Sequence, residues 1–167
     1  MRHGGIQQMI ETAVKCVIKE PVTSRYVMLL ETLCGHYLIP VKIGEFEAES
    51  IYCVLNRIKS PRPMTYDFIS NILFTIDEVN IDRVVIDGYR DGVYSASMYV
   101  ICDKEEKRVD CRPSDGVALA LKMGVPVYVE DDILCPNCCV DRTFINEDDN
   151  KILANLIDEH DSLYWHY

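Results

Sequence analysis

The sequence predicts an α+β domain in which internally duplicated strand-strand-strand-helix units form a mainly antiparallel sheet covered by helices. Three observations carry this reading. A gapless offset of 68 positions aligns similar patterns along about 45 residues. Each copy runs through short β-branched or aromatic segments into one amphipathic segment. A length of 167 residues, 49% of them hydrophobic, suffices for one buried core.

In the first copy, Ala13–Lys19, Arg25–Glu31 and Tyr37–Ile43 read as strands. Within Glu45–Arg57, Ala48, Ile51, Tyr52 and Leu55 recur at spacings of three and four, which marks one face of a helix. The turn SPRPMT then leads into a helix over Tyr66–Thr75, with Phe68, Ile69, Ile72 and Leu73 as its apolar residues. The second copy supplies strands Ile81–Asp87, Val93–Cys102 and Lys107–Cys111. The offset lays Tyr26 on Tyr94, Cys34 on Cys102, Val41 on Val109 and Glu47 on Asp115. A helix follows, with Pro113 at its entrance, Ser114 as N-cap, Asp115 in its first turn, and Gly124 and Pro126 as its stop. A last strand begins beyond Pro126.

Residues 12–134 thus make the domain, and 135–167 an acidic appendage. The appendage opens on CPNCC and ends in a short amphipathic helix over Asp148–His166, built on Ile152, Leu153, Leu156, Ile157 and Leu163. Cys135, Cys138 and Cys139 have the spacing of half a zinc site, but no second C-x₂-C or H-x₃₋₅-H lies nearby, so zinc is not expected there.

The net charge of −10 is uneven: residues 131–167 hold nine acidic and two basic side chains, whereas 1–130 hold 18 and 15. Nothing here is the strongly basic surface of a dedicated nucleic-acid binder. No apolar run approaches the roughly 20 residues that span a bilayer. The opening MRHGGIQQMIETAVK lacks the apolar core of a signal peptide, which predicts a cytoplasmic protein with reduced thiols at its eight cysteines. There is no HExxH, GxSxG, Walker loop or GxGxxG.

One stretch concentrates chemistry. VDCRPSDGVALAL, Val109–Leu121, places Asp110, Arg112, Ser114 and Asp115 at a helix start. One reading is a phosphodiester site, with Asp110 and Asp115 holding a divalent cation, Mg²⁺ or Mn²⁺, and Arg112 neutralising phosphate. The other is an Arg–Asp pair bridging strand end and helix start, with Ser114 as cap. Asp67 and Glu47, at the other two helix starts, carry the same two readings.

This stretch, the RPMTYD of Arg62–Asp67 and the LIPVKIGEFEAESI of Leu38–Ile51, in this order and spacing, resemble the bifunctional nuclease domain family over roughly residues 12–134. The resemblance implies an α+β domain and the DNase and RNase activity known for some members. DNA or RNA is then the expected partner, and phosphodiester hydrolysis the expected reaction, with Asp110, Arg112, Asp115 and Asp67 as catalytic candidates. Two departures stand out. Tyr66 occupies a position where the family commonly has histidine, and Cys111 and Gly116 stand where it commonly has alanine. A tyrosine of ordinary pKa, near about 10, is a poor general base at neutral pH. The alternative from another class is a non-catalytic oligomeric binding or regulatory module. Open sheet edges and the acidic tail predict a homo-oligomer, with a dimer as the simplest closed form.

Overall fold

The computed structural model describes residues 8–20, 23–136 and 138–141. The expected helix over Asp148–His166 lies outside them. The elements run β1 (Met9–Lys19), β2 (Tyr26–Thr32), β3 (Tyr37–Ile43), α1 (Glu45–Leu55), α2 (Thr65–Phe74), β4 (Val79–Arg90), β5 (Val93–Cys102), β6 (Glu105–Cys111), α3 (Pro113–Met123), β7 (Val127–Glu130) and β8 (Val140–Asp141). A single 3₁₀ turn, Asp131–Ile133, follows β7.

All strands join one sheet in the order β6-β5-β4-β7-β1-β2-β3-β8. Two antiparallel meanders, β1-β2-β3 and β4-β5-β6, flank β7, which runs antiparallel to β1 and parallel to β4. The fold is therefore α+β with a mainly antiparallel sheet, as the sequence predicts.

The two halves agree in element order. At the 68-residue offset β3 falls on β6 and α1 on α3, end to end. Their hairpin registers differ: Glu31 pairs with Leu38, whereas Tyr99 pairs with Arg108, not with Glu106. The cause is the turn, four residues after β2 but only Asp103 and Lys104 after β5, both at positive φ (53° and 68°). A slip of two keeps every side chain on its own face, so the core survives it.

One sheet face packs against the helices through Met28, Leu30, Ile39, Val41, Val84, Ile86 and Ala96. These meet Ala48 and Ile51 of α1 and Val117, Ala118 and Ala120 of α3. The helix α3 touches α1, α2 and the central strands, so its start is held from several sides. Its bounds follow from local chemistry. Pro113 presets φ for the first helical position. Gly124, at φ +70°, closes the helix in the left-handed region that glycine enters without a Cβ clash.

Both sheet edges are blunted. β6 is exposed along Glu105–Asp110 and carries Glu105, Glu106, Lys107 and Arg108, while β8 has two residues. Among the described residues no helix is long and apolar enough to cross a membrane.

Candidate functional site

Three helix starts converge. Arg112 follows the last residue of β6 in an extended conformation (φ −69°, ψ 145°) and is itself the N-cap of α3. Ser114 is consequently the second helical residue, makes no capping bond and is buried. The expected Ser114 cap is thus corrected: proline is favoured at the first helical position, so Pro113 moves the cap to residue 112.

The Arg112 guanidinium is held as a fork. Its Nε donates to Asp115 Oδ2 at 2.6 Å, and its Nη2 donates to Asp115 Oδ1 at 2.9 Å and to Glu47 Oε1 at 2.6 Å. Tyr66, at the start of α2, donates its hydroxyl to Asp115 Oδ1 at 2.6 Å. One residue from each helix start thereby joins a single network around Arg112. Exposure is graded: the Arg112 side chain is 66% exposed, Asp115 33% and Glu47 12%. The cation faces solvent while its carboxylate anchors lie beneath it.

Protonation follows from this packing. Burial, then the hydrogen bond to Asp115 and its charge, push the Tyr66 hydroxyl well above the ordinary tyrosine value, so it stays protonated and donates. Burial opposes the charge on Asp115, but the hydrogen bonds from Arg112 and Tyr66 outweigh it and hold the carboxyl below its ordinary value. Burial followed by the charges of Asp115 and Asp110 pushes the Cys111 thiol up to about 11.

Beside the network opens an apolar pocket of about 540 Å³. Ser50, Tyr66, Ile69, Met98, Val109, Cys111 and Leu119 form its walls, exposed Phe46 stands at its rim, and Glu47, Arg112 and Asp115 supply its charged side.

The other two expected carboxylates lie elsewhere. Asp110 pairs across the strands with Ser97, whose hydroxyl faces Asp87 and Arg108, whereas Val109 and Cys111 line the pocket. Strand alternation thus puts Asp110 on the sheet face opposite Asp115, and the two do not share a cation. Asp67 accepts from the Met64 backbone N–H at 2.9 Å and from Lys122 Nζ at 2.5 Å, which ties α2 to α3 outside the pocket.

A resident divalent cation does not fit this donor set. Both Asp115 oxygens and Glu47 Oε1 are engaged by Arg112 or Tyr66, and the guanidinium occupies the space between the two carboxylates. Among the described residues no three His, Cys, Asp or Glu side chains converge as a metal site, at CPNCC or elsewhere.

The α+β domain thus holds an anchored, exposed arginine at converging helix starts, beside an apolar pocket. The chain belongs to the bifunctional nuclease domain family, whose match covers residues 27–140. An uncharacterized protein of Mycobacterium tuberculosis is 34% identical over 126 residues, 75% of this chain and 74% of that protein. Bifunctional nuclease 1 of Oryza sativa subsp. indica is 26% identical over 104 residues, 60% of this chain but 31% of the rice protein.

Proposed function

We propose that this chain is a nuclease that hydrolyses phosphodiester bonds of DNA or RNA at the Arg112 network. The observation that carries the reading is the geometry of Arg112, pinned by Asp115 and Glu47 yet largely open to solvent at the pocket mouth. A guanidinium held in advance loses little freedom on meeting a phosphate, and its Nη1, which donates to neither carboxylate, is left to donate to a phosphate oxygen. Hydrolysis places negative charge on the phosphoryl oxygens, and such a donor stabilises it. The apolar walls beside it suit an unpaired base, which favours single-stranded substrate. The family membership and the name of the rice relative support the same activity.

The test is cleavage of single-stranded DNA and RNA by purified protein, with and without EDTA, beside Asp115→Asn. Wild type should cut, and Asp115→Asn, which loosens the fork, should cut slower by on the order of 10²-fold. The EDTA arm decides whether a divalent cation takes part. Cleavage that survives both treatments belongs to a contaminant or another site, and ends the assignment.

One feature favours the non-catalytic binding reading: Tyr66 keeps its proton and Asp115 is locked in an ion pair, so neither is a ready general base. Binding of oligonucleotide without cleavage would select it.

We further propose that the protein acts in the cytoplasm and assembles as a homodimer. The blunted edges direct attention away from strand pairing and toward α2, where Phe68 and Phe74 are 61% and 69% exposed on one short helix. Light scattering at micromolar concentration should report twice the chain mass; a monomer there would refute the dimer.

A further inference from the structure

Arg112 lines two hollows. On the side away from the apolar pocket lies a groove of about 530 Å³ formed by Arg25, Lys42, Gly44, Glu45, Tyr94 and Ser114, among others. Resting on the nuclease reading above, we propose that this groove is a second phosphate subsite, holding the phosphodiester next to the one at the Arg112 network on a single nucleic-acid strand.

Four observations carry it. The starts of α1 and α3, each an 11-residue helix, both open into the groove. Their first-turn backbone N–H groups have no partner within the helix and favour an anion. Ser114 is only 5% exposed and lines the groove, yet its hydroxyl has no hydrogen-bond partner among the described residues. Arg83 Nε is the one fully enclosed side-chain polar atom without a partner among the described residues, so the unpartnered Ser114 hydroxyl keeps an opening, and the groove it lines can supply its acceptor. Arg25 and Lys42 are exposed at the groove, and neither cation enters an ion pair among the described residues. The acidic group there, Glu45, accepts the Tyr26 hydroxyl at 3.2 Å. Against a net charge of −10 this groove is therefore a local basic exception on the protein surface. It adjoins the pocket only through Arg112, which lines both, so a strand passing from one to the other crosses the guanidinium.

The experiment measures binding, not turnover. The probe is fluorescein-labelled octathymidylate with phosphorothioate linkages, titrated at several salt concentrations. Arg25→Gln/Lys42→Gln is compared with wild type and with Lys59→Gln/Lys104→Gln. The control loses the same charge away from the groove: Lys59 follows α1 at its far end, and Lys104 sits in the turn at the far end of β5. The groove variant should bind at least about tenfold more weakly at low salt. Its plot of log affinity against log salt should be shallower by roughly 1.4, because two single-strand phosphate contacts at about 0.7 each are lost. Ser114→Ala should weaken binding severalfold at unchanged salt slope. The control should follow wild type. No binding by wild type, or groove-variant binding equal to wild type, overturns the subsite. A wild type that binds with these dependences but does not cut DNA or RNA supports the subsite while removing the nuclease reading.

Discussion

Arg112→Ala should slow cleavage by on the order of 10²–10³-fold while leaving a folded but weakened protein. Three hydrogen bonds of 2.6–2.9 Å are lost, and the carboxylates of Glu47 and Asp115 then face each other with no cation between them. Loss of one well-placed charge-stabilising donor lowers turnover by on the order of 10²–10³-fold. The stability loss is smaller, about 1–3 kcal/mol near neutral pH, because the guanidinium is largely solvated and its pairing is screened. Arg112→Lys restores charge but not the fork, and should recover little activity.

The pH dependence separates this account from a packing defect. In wild type the Asp115 carboxyl lies below its ordinary value of 3.8, so its contribution is fully present above that value and is lost as pH falls through the lowered one. In Arg112→Ala the Asp115 carboxylate loses the cation that holds its value down, that value rises, and the variant regains stability as it is acidified toward the ordinary carboxylate range. The gap between the proteins in urea unfolding should therefore narrow from about pH 7 to about pH 4. A gap that stays constant would mean lost packing. Cleavage by Arg112→Ala within threefold of wild type would remove the site.

Local chemistry made much of the fold legible. Tyr37–Ile43 and Val93–Cys102 follow from β-branched and aromatic composition, and α3 from Pro113 and Gly124. Distance in sequence hid the rest. The partners of Arg112 and Asp115 lie 65 and 49 residues away, at Glu47 and Tyr66, and local pattern cannot say that three helix starts meet. The insertion of β7 between two meanders is likewise a long-range pairing. Arg25 carries no motif, and Lys42 lies in the LIPVKIGEFEAESI stretch without standing out there; only the sheet brings them beside α3. Other features were readable by a stricter use of periodicity. Alternation along Val109-Asp110-Cys111 separates Asp110 from its apolar neighbours, and Pro113 at the first helical position makes Ser114 the second.

The departures at Cys111 and Gly116 prove to be one feature. A Cβ on Gly116 would lie 2.9 Å from Val84 Cγ1, closer than real contacts allow, and 3.0 Å from Cys111 Sγ, tight enough that the sulfur would have to give way by a few tenths of an ångström. Val84 is fully buried on a strand paired on both sides, so little relief comes from there. The sulfur at residue 111 thus occupies volume that a side chain at 116 would need: cysteine with glycine fills roughly the space that alanine with alanine would. Gly116→Ala alone should destabilise by about 1–2 kcal/mol, since overpacking of about 1–3 outweighs the 0.5–1 that alanine gains over glycine inside a helix. Cys111→Ala alone should cost about 1 kcal/mol or less, from lost contacts of a half-buried thiol. Combined, the two changes should cost less than their sum, by about 1 kcal/mol, because removing the sulfur opens the room that the new methyl requires. Urea unfolding of the four proteins measures this coupling. Strict additivity would show that Val84, not Cys111, sets the limit, and would separate the two departures again.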